Sequence, residues 1–359
     1  DSYPGYPVKV TQKQNHGMAI RKTGYITILL TGFLATLLLG SCLTDDVAEL
    51  PLEEGVPVRF EIKRDGIMSR APGDAALSVN RILILPFRKT DEASSNDAAN
   101  FIPEYSAARQ LDVNSFPAVV TMLTLSAAST YQLLVIGYNR SDYDFTGGGG
   151  ATKRFNIGST DTPATLANLY LQPVNPMVVP EFFSCFGNGY RGATLVGPIF
   201  KPSQINYVTG TLKRLVSGFT LEVTNVPTYV NSMTLIAEQL VTATRATDGT
   251  ALTWQTAGDG GTKTLATQAP VSGKVSFNQF LLAIPDSRKT LFYLDVSYGI
   301  FTERYTVKLP DTPGVVSGNR IIFTPNHWVK VTGSYANINI GFTLAGNINL
   351  DDNAWDGLQ

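Results

Sequence analysis

Histidine and cysteine are nearly missing, with two of each in 359 residues. His16 and His327 cannot supply a zinc site of ordinary type. A catalytic thiol needs a base beside it, and Cys185, between phenylalanines in "PEFFSCFGNGY", reads instead as a small apolar core residue. Charge is scarce too: Asp, Glu, Lys and Arg make up 16% of the chain, with a net charge of −1. No basic excess would draw the protein to nucleic acid or an anionic surface. The glycine-rich stretches "TGGGGATK" and "TAGDGGTK" lack the Gly-Lys-Ser/Thr ending of a phosphate loop and read as hairpin tips. "LDDNAWDG" lacks the Asp-x-Asx-x-Asx-Gly pattern and distal glutamate of a calcium loop, and reads as a solvated turn. Asp and Glu are numerous enough to form a carboxylate pair of the glycosidase kind, yet no cluster singles itself out, and no nucleophile with its base and oxyanion donors can be assembled by inspection. The expectation is therefore no enzyme, no cofactor and no metal.

A membrane-spanning run is also absent. The longest apolar stretch, Tyr25 to Leu39 in "TILLTGFLATLLLGSCLTDD", is about 15 residues, short of the roughly 20 needed to cross a bilayer. It has the length of a signal-peptide core. Arg21 and Lys22 precede it, and Leu39-Gly40-Ser41-Cys42 follows with small residues. The order of charge, apolar run, small residues and cysteine resembles a bacterial lipobox, which implies cleavage between Ser41 and Cys42 and acylation (palmitate) of the Cys42 thiol. Residues 18–41 would then be the signal peptide, with Met18 as the start and residues 1–17 a doubtful upstream segment. The first 41 residues hold four of the 28 basic and one of the 29 acidic residues, so the remainder carries about −4.

Thr, Val, Tyr, Phe, Gly and Asn abound beyond that point, as strands joined by tight turns require. Val56, Val58, Phe60 and Ile62 alternate with Pro57, Arg59, Glu61 and Lys63, giving one apolar and one largely charged face. Phe219, Leu221 and Val223 alternate likewise, as do Phe292, Leu294, Val296 and Tyr298. "RILILPF" (81–87), "AVVTMLTL" (118–125) and "YQLLVIGY" (131–138) are apolar throughout and predict central strands. Only "DTPATLANLYL" (161–171) predicts a helix, capped by Asp161 or Thr162 with Pro163 in its first turn. The reading is all-β, with few short helices and sheets stacked as sandwiches. The proline-rich "QPVNPMVVPEFF" marks a break, and a boundary is placed near 200: a tether over 42–55, one domain over 56–200, a second over 201–359.

These patterns in sequence, a lipobox, "VPVRFEIKRD", "IMSRAPGD", "SVNRILILPF", "YQLLVIGYN", "LKRLVSGFTLEV" and "YANINIGFTLAGNINLDDNAWDG", resemble the fimbrillins, the type V pilin family of Gram-negative anaerobes. The resemblance covers most of the chain beyond Cys42. It implies two transthyretin-like β-sandwiches in tandem and a lipoprotein precursor at the outer membrane. It also implies that a trypsin-like protease cuts after an arginine beyond the first strand. That strand leaves, and a C-terminal strand of a neighbouring subunit fills the groove. The partners implied are other fimbrial subunits, the outer-membrane lipid and a surface ligand of host or bacterium.

Mapped onto this chain, the displaced strand carries Val56, Val58, Phe60 and Ile62. Four such side chains are worth roughly 6–12 kcal/mol gross at about 1.5–3 kcal/mol each. The candidate donor carries Ile338, Ile340, Phe342 and Leu344, alternating with Asn337, Asn339, Gly341 and Thr343. Arg70, in the polar loop "SRAPGD", is the candidate processing site and Arg64 the runner-up. Asp45 and Asp46 resemble an export signal to the cell surface. Two alternatives stand beside a polymerising subunit. One is an anchor that keeps its lipid. The other is a surface glycan-binding lipoprotein with Tyr138, Tyr143, Phe145, Tyr190, Trp254 and Trp328 as candidate platforms.

Overall fold

The computed structural model describes residues 56–64, 79–145, 153–159, 161–255, 261–285 and 287–350, with backbone alone at 56–64 and 119–121. The signal run, Ser41, Cys42, Asp45, Asp46, Arg70 and most of "LDDNAWDG" lie outside the described residues.

Strands follow one another along the whole described chain. The first half supplies β1 (Val56–Arg64), β2 (Arg81–Lys89), β3 (Phe101–Pro103), β4 (Arg109–Asp112), β5 (Ala118–Leu125) and β6 (Tyr131–Tyr138). Next come β7 (Phe155–Ser159), β8 (Leu169–Pro173), β9 (Phe183–Phe186), β10 (Asn188–Arg191), β11 (Thr194–Gly197) and β12 (Tyr207–Arg214). The second half supplies β13 (Val216–Thr224), β14 (Ser232–Glu238), β15 (Val241–Arg245), β16 (Ala251–Trp254), β17 (Thr262–Gln268) and β18 (Val275–Leu282). It ends with β19 (Thr290–Tyr298), β20 (Phe301–Thr306), β21 (Val316–Ser317), β22 (Arg320–Ile321), β23 (His327–Ser334) and β24 (Thr343–Asn349). The helical pieces among the described residues are single three-residue 3-10 turns, and no helix there is long and apolar enough to cross a membrane. The protein is all-β, built of stacked sheets.

Why β2 and β6 are apolar throughout follows from their position. They pair antiparallel over eight residues, from Arg81↔Tyr138 to Arg88↔Tyr131. Leu83, Leu85, Leu134 and Ile136 face one core, with Phe155, Leu169 and Leu171. Ile82, Ile84, Leu133 and Val135 face another, with Leu123, Leu125, Val208 and Leu212. A strand buried on both faces has no place for a polar alternate residue. β12 joins these layers, since its first residues pair with β1 and β10 and its last two with β9.

Leu215 marks a change of sheet. β13, starting at Val216, runs antiparallel to β18 and parallel to β23, in the order β18-β13-β23-β24. Facing it is the sheet β17-β14-β19-β22-β21, with β20 on β19. The alternating residues read from sequence meet between them: the Phe219 and Phe292 rings stack 4.4 Å apart at 10°. A fourth sheet, β16-β15-β8-β7, draws strands from both halves, with Thr244↔Leu171 and Arg245↔Tyr170 in register. Each half repeats one relationship: its first strand runs parallel to a later one, β1 with β12 and β13 with β23.

Three expectations of local structure fail. Residues 118–125 form β5, which pairs only with β1 among the described residues and leaves Met122 61% exposed, so it is an edge strand and not a central one. Residues 161–171 form no helix; turns lead into β8, where Leu169, Leu171 and Pro173 are buried and Tyr170 and Gln172 half-buried. The spacing of Leu166 and Leu169 suits a helix, but pairing on β7 and β15 selects the period-two solution. Nor does the alternation over 337–344 make one strand. Tyr335–Asn337 is a 3-10 turn, the Ile340 and Gly341 amides donate to the Asn337 carbonyl, and β24 begins only at Thr343.

Candidate functional site

β1 lies between two strands that do not pair with each other. On one side it runs antiparallel to β5, from Val56↔Leu125 to Ile62↔Ala118, with an irregularity between Val58 and Phe60. On the other it runs parallel to β12, from Arg59↔Tyr207 to Arg64↔Leu212. β5 has no other strand partner among the described residues. Val56, Val58, Phe60 and Ile62 therefore sit inside a sheet, and Arg64, the runner-up processing arginine, is the last paired residue and not a loop residue. The flanking strands contribute Leu123, Leu125, Val208 and Leu212, all buried, to the core that β2 and β6 close from the other layer.

β12 approaches β9 closely here. A Cβ on Gly210, the partner of Ile62, would lie 2.8 Å from Cys185 Sγ. Packed so, the thiol is pushed up to about 12 by burial, with Lys213 opposing weakly. Ionisation at neutral pH is suppressed, as suits a packing residue.

Beyond the last β1 contact, Arg214 is buried. Its Nε donates to Glu181 Oε1 at 2.9 Å, its Nη1 to Asn326 Oδ1 at 2.6 Å, and its guanidinium lies 4.9 Å from the Phe183 ring centroid. Asn326 holds a left-handed backbone (φ 62°), donates through Nδ2 to Asn349 Oδ1 at 2.8 Å, and accepts from the Leu350 amide. A polar relay thus runs from β12 to the end of β24. Sequence reasoning missed it, because its members lie far apart in the chain.

The candidate donor residues are divided. Ile338 and Phe342 are buried in the protein's own core, Ile340 is 76% exposed, and only Leu344 lies in β24, opposite Val331. Phe342 fills the space left by Gly333, where a Cβ would sit 2.4 Å from its ring. The candidate platforms are divided too. Tyr138 and Trp328 are fully buried and Tyr143 stacks on Phe155. Phe145 packs on the core beside Tyr105, Tyr190 stacks on Tyr207, and Arg288 lies over Trp254. Among the described residues no group of three or more His, Cys, Asp or Glu side chains could hold a metal ion.

No family model and no curated protein matches the sequence. Solved structures of similar fold include the fimbrial anchor protein Mfa2 from Porphyromonas gingivalis, at 11% identity and TM-score 0.45, covering 81% of this chain and 96% of that one. A candidate polysaccharide-binding protein from Bacteroides thetaiotaomicron is 12% identical with TM-score 0.47, covering 80% and 96%. A candidate cell adhesion protein from Parabacteroides distasonis is 9% identical with TM-score 0.41, covering 84% and 92%.

Proposed function

We propose that the protein is a non-enzymatic, surface-exposed structural subunit of a fimbria, delivered as a lipoprotein through Cys42 and assembled by strand exchange into the seat of β1. One observation carries this reading: among the described residues β1 is the sole strand joining β5 to the rest of its sheet. Its removal would uncover the ladders of both neighbours. An incoming strand of the same period would recover main-chain hydrogen bonds along both edges, with its side chains setting register. In this reading the subunit's two sandwiches divide at Leu215 and not near residue 200, because β12 still pairs with β1, β9 and β10 of the first half. Arg70 lies six residues beyond Arg64, the end of β1, so cleavage there would free the strand together with its lipid.

A second reading, an anchor that keeps its lipid and is not cut, is supported by β1 being paired on both flanks, which leaves no open slot for an incoming strand. The mature N-terminus on the cell surface separates the two. A polymerising subunit begins at Ala71, forms detergent-resistant ladders, and loses both in an Arg70→Ala variant. A surface form that starts at acylated Cys42 supports the anchor and overturns processing. Loss of ladders without any change of N-terminus would overturn the link between cutting and assembly.

A further inference from the structure

The sheet β16-β15-β8-β7 carries a cleft of about 330 Å³ on its outer side. The volume is that of a small-molecule site. Tyr170 and Gln172 rise from β8, Ala243 from β15, and Leu252 and Thr253 from β16, with Asn168 at one end. Register explains the grouping: Asn156↔Gln172 and Gly158↔Tyr170 are cross-strand pairs on one face of the sheet, while Ile157↔Leu171 turns toward the core.

Three features define what fits. First, no lining side chain is charged. Arg245, next to Tyr170 in register, is held by Asp248 at 3.2 Å. An ionic ligand would find no counter-charge in the lining itself. Second, the polar groups are amides, a phenol and a hydroxyl, each able to donate and accept. They are held in place: Asn168 accepts the Thr165 amide proton at 2.8 Å, and the Thr253 and Thr242 hydroxyls meet at 2.7 Å. Tyr170 lies across Gly158, where a Cβ would come within 2.9 Å of its hydroxyl oxygen, so the glycine makes room for the ring. Third, the cleft lies over β8 and β15, whose backbones are paired on both sides. A peptide cannot add there as a strand, and recognition falls to side chains.

We propose that this cleft binds a neutral saccharide, with its hydroxyls on the Gln172, Asn168 and Thr253 groups and its carbon face on Tyr170, Ala243 and Leu252. The site is independent of strand exchange, because β1, β5 and β12 contribute nothing to it.

The full-length protein, purified in detergent, is screened against an array of neutral and anionic oligosaccharides and a set of uncharged peptides, and hits are titrated by calorimetry. A neutral saccharide binds with a dissociation constant of about 1 mM or tighter. Tyr170→Ala weakens it about tenfold or more, through loss of the ring face. Gln172→Ala weakens it severalfold, and Tyr229→Ala, at an exposed ring outside the cleft, leaves it unchanged. Urea midpoints of all variants establish that they fold. Should Tyr170→Ala unfold the protein, Gln172→Ala combined with Thr253→Val carries the test. No neutral saccharide bound, binding indifferent to these changes, or selection of anionic sugars or peptides at the same residues would each overturn the assignment.

Discussion

Arg214 and Asn326, 112 positions apart in the chain, meet at 2.6 Å between Nη1 and Oδ1. The contact ties the strand beside β1 to the turn that receives the end of β24. The Arg214 side chain is 1% exposed and that of its other partner, Glu181, 12%. A buried charge left without its partner is costly, so Arg214→Ala is expected to destabilise by about 3–5 kcal/mol in urea unfolding. Replacing Arg214 by Met and Glu181 by Leu together should recover much of the loss. A single-variant cost within about 0.5 kcal/mol, the range of ordinary surface changes, would show that the relay adds nothing.

Gly218 is held to its identity by a ring. A Cβ there would lie 1.7 Å from Trp328 Cε3, and the indole is fixed by donating Nε1–H to Thr220 Oγ1 at 2.8 Å. Gly218→Ala therefore forces a rigid, buried group to move, at a cost of about 3 kcal/mol. Tryptophan emission should shift to longer wavelength; an unchanged spectrum and unchanged stability would contradict this packing.

The segment before β24 can be read out by alanine scanning. Phe342→Ala should cost about 3–5 kcal/mol and Ile338→Ala about 2–5 kcal/mol, as core truncations do. Ile340→Ala should be neutral within about 0.5 kcal/mol. Equal costs at all three would instead restore the alternating strand.

Cys185 gives a signed pH dependence. In the unfolded chain a thiol ionises near pH 8.5, whereas burial pushes Cys185 up to about 12. Between these values the unfolded state releases a proton that the folded state keeps, so this residue lowers stability as pH rises from about 9 toward 12. Cys185→Ala should show a shallower loss of stability than the parent across that range. Parallel curves for the two proteins would mean the thiol is solvated.

The seat of β1 can be probed with a peptide. Protein trimmed after Arg70 should regain thermal stability on adding a peptide of residues 56–64, and a variant with the apolar residues shifted by one position should fail, because a one-residue slip presents the wrong face. Equal rescue by both peptides would count against a register-specific groove.

Much of this fold is legible along the sequence because periodicity reports burial directly. Unbroken apolar runs mark β2 and β6 as central strands, and alternation marks the strands that carry Phe219 and Phe292. Where periodicity is ambiguous, tertiary pairing decides: Leu166, Leu169 and Leu171 satisfy a helix and a strand in part, and β7 and β15 select the strand. The segment 337–344 misleads for a related reason. Phe342 is buried through the space at Gly333, a feature that exists only once β23 is folded. The seat of β1 was legible as an alternating strand, but that β5 pairs with no other strand among the described residues was not. The polar relay and the cleft over β8 and β15 leave no local mark, since each assembles residues from distant strands.

The two neighbours of β1 run in opposite directions, β12 parallel to it and β5 antiparallel. A strand entering that slot backwards would meet the inverse arrangement on both flanks and misplace its donors and acceptors along each. The slot therefore distinguishes head from tail. If units are joined through it, every junction repeats one orientation, and the filament has a growing end that differs from its base.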